Sequence, residues 1–174
     1  APHHYPITRK SFADWLKESD KILPTKTNIV MGYEDRSFKN QQIYKLREIF
    51  YLKISNKIDK FHINIQKPLP KFQTGSLMIL PVLIYMGYKK IYLLGCDHNQ
   101  LKNFNSSIKN FYKESKDLRY TKKKKINQSW LKLDKELNAS LLVYKQYKEY
   151  NKIAKSRGVE IINLSKNSWL DLFK

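Results

Sequence analysis

One cysteine, Cys96, stands in 174 residues, so the chain holds no internal disulfide. That fits a reducing compartment. No apolar run reaches the roughly 18 residues of a membrane span. The run from Leu77 is broken by Pro81, by Gly87 and by the lysines that follow. The opening APHHYPITRK carries no apolar segment of the kind a secretory signal needs. Acidic residues are scarce: 15 Asp+Glu face 34 Lys+Arg, a net charge of +19. A field of that sign attracts polyanions (nucleic acid, anionic lipid head groups, phosphorylated small molecules) and does not choose among them. Also missing are a Walker loop, a GxGxxG, an HExxH and any Cys/His zinc spacing. No metal centre and no cofactor are expected.

What is present is enough apolar material for a core. Hydrophobic residues make up 41% and aromatics 13%, which excludes a disordered polypeptide, and the length suits one domain. Ser11, with Asp14 three residues on, reads as the N-cap of a helix running to about Leu23, with Phe12, Trp15, Leu16, Ile22 and Leu23 toward the core. Pro24 ends it. Thr27 to Tyr33 reads as a buried strand, and Glu34 to Gln42 as a loop or short helix. Glu48 to Ile54 and Phe61 to Ile65 are β-rich. Lys67-Pro68-Leu69-Pro70-Lys71 reads as a stiff linker.

Thr74 to Asn99, TGSLMILPVLIYMGYKKIYLLGCDHN, organises the rest. A polar entry leads into an apolar helix. Pro81 in its interior predicts a kink or a late start, and Gly87 stops it. A short buried strand, Ile91 to Leu94, then opens into a polar loop. Leu101 to Gln128, with the charge run Lys122 to Lys125, reads as a basic loop or as a flap over a site. Ser129 to Ser156 reads as one long amphipathic helix. Trp130, Leu133, Leu137, Leu141, Tyr144, Tyr147 and Ile153 lie on its core side, and Gly158 sits just past its end. A strand, Val159 to Leu164, and a short helix capped by Ser168 close the chain. The alternation predicts an α/β domain, a mostly parallel Rossmann-like sheet flanked by helices. The first residues, Ala-Pro in place of Met, point to a processed chain or to a C-terminal piece lacking an N-terminal part.

In open α/β sheets, ligands bind outside the carboxyl ends of the strands. Asp97, at such an end, either accepts hydrogen bonds from ribose hydroxyls, holds a metal, or caps nearby amides. His98 has a pKa range suited to a general base, or serves as a hydrogen-bonding loop residue. His3 and His4 line the same crevice or belong to a frayed end. Thr74, Gly75 and Ser76 open a helix, and free amides and hydroxyls there bind anions or simply cap. Cys96 reads as a small buried side chain. Tyr112, Tyr120 and Trp130 surround the Lys122 to Lys125 tract, but no RNA- or DNA-binding module accompanies them, so nucleic acid is not the expected partner.

The stretch TGSLMILPVLIYMGYKKIYLLGCD resembles a segment of the bacterial family-42 sialyltransferases. It also resembles related domains of polysaccharide loci and pterin-diphosphokinase-like proteins. Thr74, Ser76, Gly87, Tyr88, Lys89, Ile91, Tyr92, Leu93, Gly95 and Asp97 carry the match. The resemblance implies a Rossmann-like domain that binds a nucleotide-activated sugar, a CMP-sugar in the first instance, with no required metal. Thr74, Gly75, Ser76, Gly95, Asp97 and Asn99 would form the donor site. The group's nucleotide loop, Gly-Asn-Gly-Pro-Ser, has no counterpart here, and no His lies between Lys122 and Leu137. His98, or His3 or His4, would then take the part of the base. The expected function is glycosyl transfer to a glycan acceptor in bacterial surface polysaccharide synthesis. The expected place is the cytoplasm, with peripheral contact to the anionic inner membrane. A non-catalytic basic α/β module that binds nucleic acid or a protein partner is the alternative.

Overall fold

The computed structural model describes residues 9–41, 43–103 and 132–173. His3, His4, Gln42, the Lys122–Lys125 tract, Tyr112, Tyr120 and Trp130 lie outside the described residues. Helix α1 spans Arg9–Ile22, strand β1 Ile29–Gly32, strand β2 Ile49–Leu52 and helix α2 Gly75–Tyr85. Strand β3 spans Lys90–Leu93, helix α3 Leu133–Ser156 and strand β4 Glu160–Asn163. Single 3-10 segments occupy Tyr33–Gln41, Gln100–Asn103 and Asp171–Phe173.

This is an α/β arrangement. Among the described residues the strands form two separate parallel pairs. In one, β1 lies beside β2, with Ile29 opposite Ile49; in the other, β3 lies beside β4, with Ile91 opposite Ile161. Parallel neighbours need a long crossover. Helix α3 lies within the one that joins β3 to β4. No helix among the described residues is long and apolar enough to cross a membrane.

Helix α2 is a wedge between two cores. Leu77, Leu80 and Ile84 pack with Ile91, Leu93, Ile161 and the inner side of α3. Val82 packs with Leu52 and Leu69. A helix apolar all round fits such a two-sided place. It begins at Gly75 and runs through Pro81 without a late start. Pro81 has no N–H to give the carbonyl of Leu77. Helices α2 and α3 end alike. Gly87 (φ 85) and Gly158 (φ 65) take the left-handed position after each C-cap. The amides of Gly158 and Val159 return to the carbonyls of Lys155 and Ala154, and those of Gly87 and Tyr88 to Ile84 and Leu83.

Several expectations are corrected. Helix α1 starts at Arg9, so Ser11 lies inside its first turn and is not the cap. It packs through Ala13 and Leu16, and Trp15 and Ile22, roughly half a turn away from Ala13, are 52% and 75% exposed. Phe61 to Ile65 is not a strand. The Lys67–Lys71 stretch instead runs beside residues 53–55, just past the end of β2. Leu69 bridges Ile54, and its amide donates to Lys53 O at 2.9 Å. Helix α3 buries Glu136, Ala139, Val143, Gln146, Tyr147, Tyr150 and Ala154. The expected core residues Leu133, Leu137 and Leu141 are 49 to 52% exposed, and Tyr144 is also exposed. Alanines at 139 and 154 let the backbone close on its neighbours, and the buried Gln146 side chain makes two hydrogen bonds to the backbone. Finally, β3 buries only Ile91 and Leu93; Tyr92 faces outward, so the strand is covered on one side.

Candidate functional site

Four side chains from three places in the chain meet between the start of α2, the loop after β3 and the middle of α3. Thr74 caps α2, its Oγ1 accepting from Leu77 N at 3.4 Å. Ser76 Oγ lies 2.9 Å from Thr74 Oγ1 and 2.5 Å from the Tyr147 hydroxyl. The Tyr147 hydroxyl is 3.0 Å from His98 Nε2. The result is one hydrogen-bonded chain: Thr74, Ser76, Tyr147, His98.

Its ends are set by local backbone chemistry. Gly95 (φ 72) turns the chain out of β3, and His98 itself has φ 48. A non-glycine residue in that region stores strain and is held by its surroundings. Here the loop is tied down from the far end of the chain. Ser165 Oγ accepts from Cys96 N at 3.1 Å, and Ser168 Oγ donates to Cys96 O at 2.7 Å. The Trp169 amide donates to Asp97 O at 2.8 Å. On the other side, the fully buried Gln146 amide holds the entry to α2. It accepts from Gln73 N at 3.0 Å and donates to Lys71 O at 2.6 Å.

Burial sets the electrostatics. It holds the His98 pKa below the usual 6.5, with Asp97 pulling the other way. The imidazole is therefore neutral at neutral pH and able to accept a proton. Burial also pushes the Tyr147 phenol up to about 12, with the Ser76 hydrogen bond opposing. Tyr147 stays protonated and links its neighbours without becoming a base. If His98 Nε2–H donates to the Tyr147 oxygen, Nδ1 is left as the basic nitrogen.

A cavity of about 150 Å³ opens beside this chain. Gln73, Thr74, His98, Glu136 and Ser140 supply its polar lining, and Tyr144 and Trp169 its aromatic part. Among the described residues, no group of three or more His, Cys, Asp or Glu is placed to hold a metal ion.

The structure brings together Thr74, Ser76 and His98 of the expected set. Gly75 is the exposed first residue of α2, with open space around its Cα. Gly95 shapes the turn. Asp97 is exposed and outside the cavity lining; its carbonyl does the holding, and its carboxylate acts on His98 electrostatically. Asn99 Nδ2 reaches Asn167 O at 3.5 Å and does not line the cavity either. Cys96 is half-buried. His3 and His4 lie outside the described residues. Sequence reasoning missed Glu136, Tyr144 as a cavity residue, Tyr147 as a link, and Trp169. The available signal was Glu136 and Gln146, ten residues apart, polar side chains on one helical face. No family model, curated protein or solved structure matches the chain.

Proposed function

We propose that the chain is a nucleotide-sugar-dependent glycosyltransferase, sialyltransferase-like in its donor loop, serving bacterial surface polysaccharide synthesis. The observation that supports this best is a neutral, buried-side histidine at a cavity, oriented through Tyr147 and Ser76 to a capped helix start. His98 takes the proton from an acceptor hydroxyl as that oxygen attacks the anomeric carbon of the donor. The bond from that carbon to the nucleotide phosphate oxygen breaks, and its electron pair leaves with the nucleotide. The amides and hydroxyls at the start of α2 suit the leaving phosphate. Thr74, Gly75, Ser76, Gly95, Asp97 and Asn99 form the donor side on this reading.

The two parallel pairs then belong to a Rossmann-like plan, with the ligand outside the carboxyl ends of the strands. The net charge of +19 suits an enzyme working in the cytoplasm against the anionic inner face of a membrane. Calorimetry with CMP-, UDP- and GDP-sugars tests the reading. One of them, a CMP-sugar first, is expected to bind the folded protein. No binding of any, with the fold intact, removes the proposal.

A further inference from the structure

We propose that the end of the β3–β4 pair opposite His98 docks on an anionic lipid bilayer. Tyr85, Met86 and Tyr88 enter the head-group layer, and Lys89, Lys155 and Arg157 meet lipid phosphates. This deepens the reading of an enzyme at an anionic membrane and rests on it for its setting. Parallel pairing builds the surface. Because β3 and β4 run the same way, with Lys90 opposite Glu160, the turn after α2 and the turn after α3 lie at one end of the pair. The Glu160 amide ties them together, donating to Lys89 O at 2.8 Å. The loop carrying His98 leaves the other end. Strand β3, 4 residues at about 3.3 Å each, separates the two.

Every residue from Tyr85 to Lys90 is exposed, and so is every residue from Lys155 to Gly158. Tyr85, Met86 and Tyr88 are 46, 61 and 51% exposed, three large side chains in water where packing does not ask for them. Tyrosine joins an apolar ring to a hydroxyl, which suits the boundary between lipid and water, and unbranched methionine adapts to irregular surroundings. Cations come from the same two turns. Glu160 is already met by Lys90 at 3.7 Å, and Lys89, Lys155 and Arg157 add three more positive charges. Their stems lie along apolar surface while their heads reach phosphates. Two chains of +19 repel each other, whereas an anionic bilayer attracts each of them. Nucleic acid answers the charge; a bilayer interface answers the charge and the apolar side chains together. The crevice at His98 then faces away from lipid, toward a glycan chain and a dissolved donor.

Co-sedimentation of the full chain with vesicles tests this. One set holds equal parts phosphatidylcholine and phosphatidylglycerol, the other phosphatidylcholine alone. Binding is expected on the anionic set, falling with added salt, and far less on the neutral set. Each cation lost should weaken binding about fivefold, so Lys89→Gln with Arg157→Gln should weaken it about twentyfold. Met86→Ser with Tyr88→Ser should weaken it about tenfold or more. Lys17→Gln with Lys26→Gln removes the same charge from the neighbourhood of α1 and should change binding less than about threefold. If the apolar pair loses its circular dichroism spectrum, the two charge variants carry the comparison. Equal weakening by both charge variants overturns the proposal, and so does no binding to the anionic set. Tighter binding to a single-stranded oligonucleotide, lost in the same variants, also overturns it. Vesicle binding without nucleotide-sugar binding sinks the donor reading; the reverse result sinks the docking surface alone.

Discussion

Tyr147→Phe removes one oxygen and little else. The ring is fully buried and packs edge-on against His98, centroids 5.2 Å apart, and against Phe173 at 5.8 Å, and a phenylalanine keeps both contacts. What is lost is the bridge between Ser76 Oγ at 2.5 Å and His98 Nε2 at 3.0 Å. Ser76 retains Thr74 at 2.9 Å, so its hydroxyl stays satisfied. His98 Nε2 is left in a largely buried setting without that partner. Two neutral hydrogen bonds are worth about 1 kcal/mol each, and removing the buried phenol oxygen returns part of its desolvation cost. The net destabilisation should be about 1–2 kcal/mol. At about 2–4 °C per kcal/mol for a chain of this size, the melting temperature should fall by about 2–8 °C. Urea and thermal melts read the stability, and the His98 ring resonances in NMR read the local change. Unchanged stability together with unchanged His98 resonances would refute the hydrogen-bonded chain. A loss above about 4 kcal/mol would mean that the ring, not its oxygen, had been disturbed.

Other outcomes follow from the same contacts. The folded-state pKa of His98 is depressed, so its contribution is fully present above the unfolded value of 6.5 and is lost as pH falls through the folded value. Urea melts should therefore show stability declining below pH 6.5, and His98→Gln should flatten that part of the profile. Gln146→Leu leaves the Gln73 amide and the Lys71 carbonyl without their partner and should cost about 2–3 kcal/mol in urea melts. Gly158→Ala meets open space but must hold φ 65, so its cost should be about 1 kcal/mol, from backbone conformation alone.

Local grammar was legible where one residue forces the backbone. Gly87 and Gly158 mark helix ends because the left-handed position after a helix excludes most side chains. Gly95, at φ 72, marks the turn after Leu93 for the same reason, and the hydroxyl of Thr74 marks the start of α2 as a side-chain cap. Packing was not. The leucines 133, 137 and 141 trace a helical stripe as good as any, and they are half exposed. The buried face of α3 carries Ala139, Val143 and Ala154 together with Glu136 and Gln146, which a hydropathy pattern assigns to solvent. Partnership across the chain was equally hidden. Leu69 lies beside Ile54, just past β2, while Phe61 to Ile65, with better strand residues, forms no strand. The site shows both cases. His98 stood out by position, at the end of a strand, and Tyr147 did not, because its role comes from a residue 49 positions away. Asp97 stood out too, yet its carbonyl and not its carboxylate does the structural work.

Nucleotide release from a panel of CMP-, UDP- and GDP-sugars, with mixed methyl hexopyranosides as acceptors, tests the central claim most directly. The folded wild type should release nucleotide from at least one donor. His98→Ala, with the fold intact, should slow that release by about 100-fold or more, the scale of a lost general base. Equal rates in the two proteins, or no release from any donor, would contradict the account.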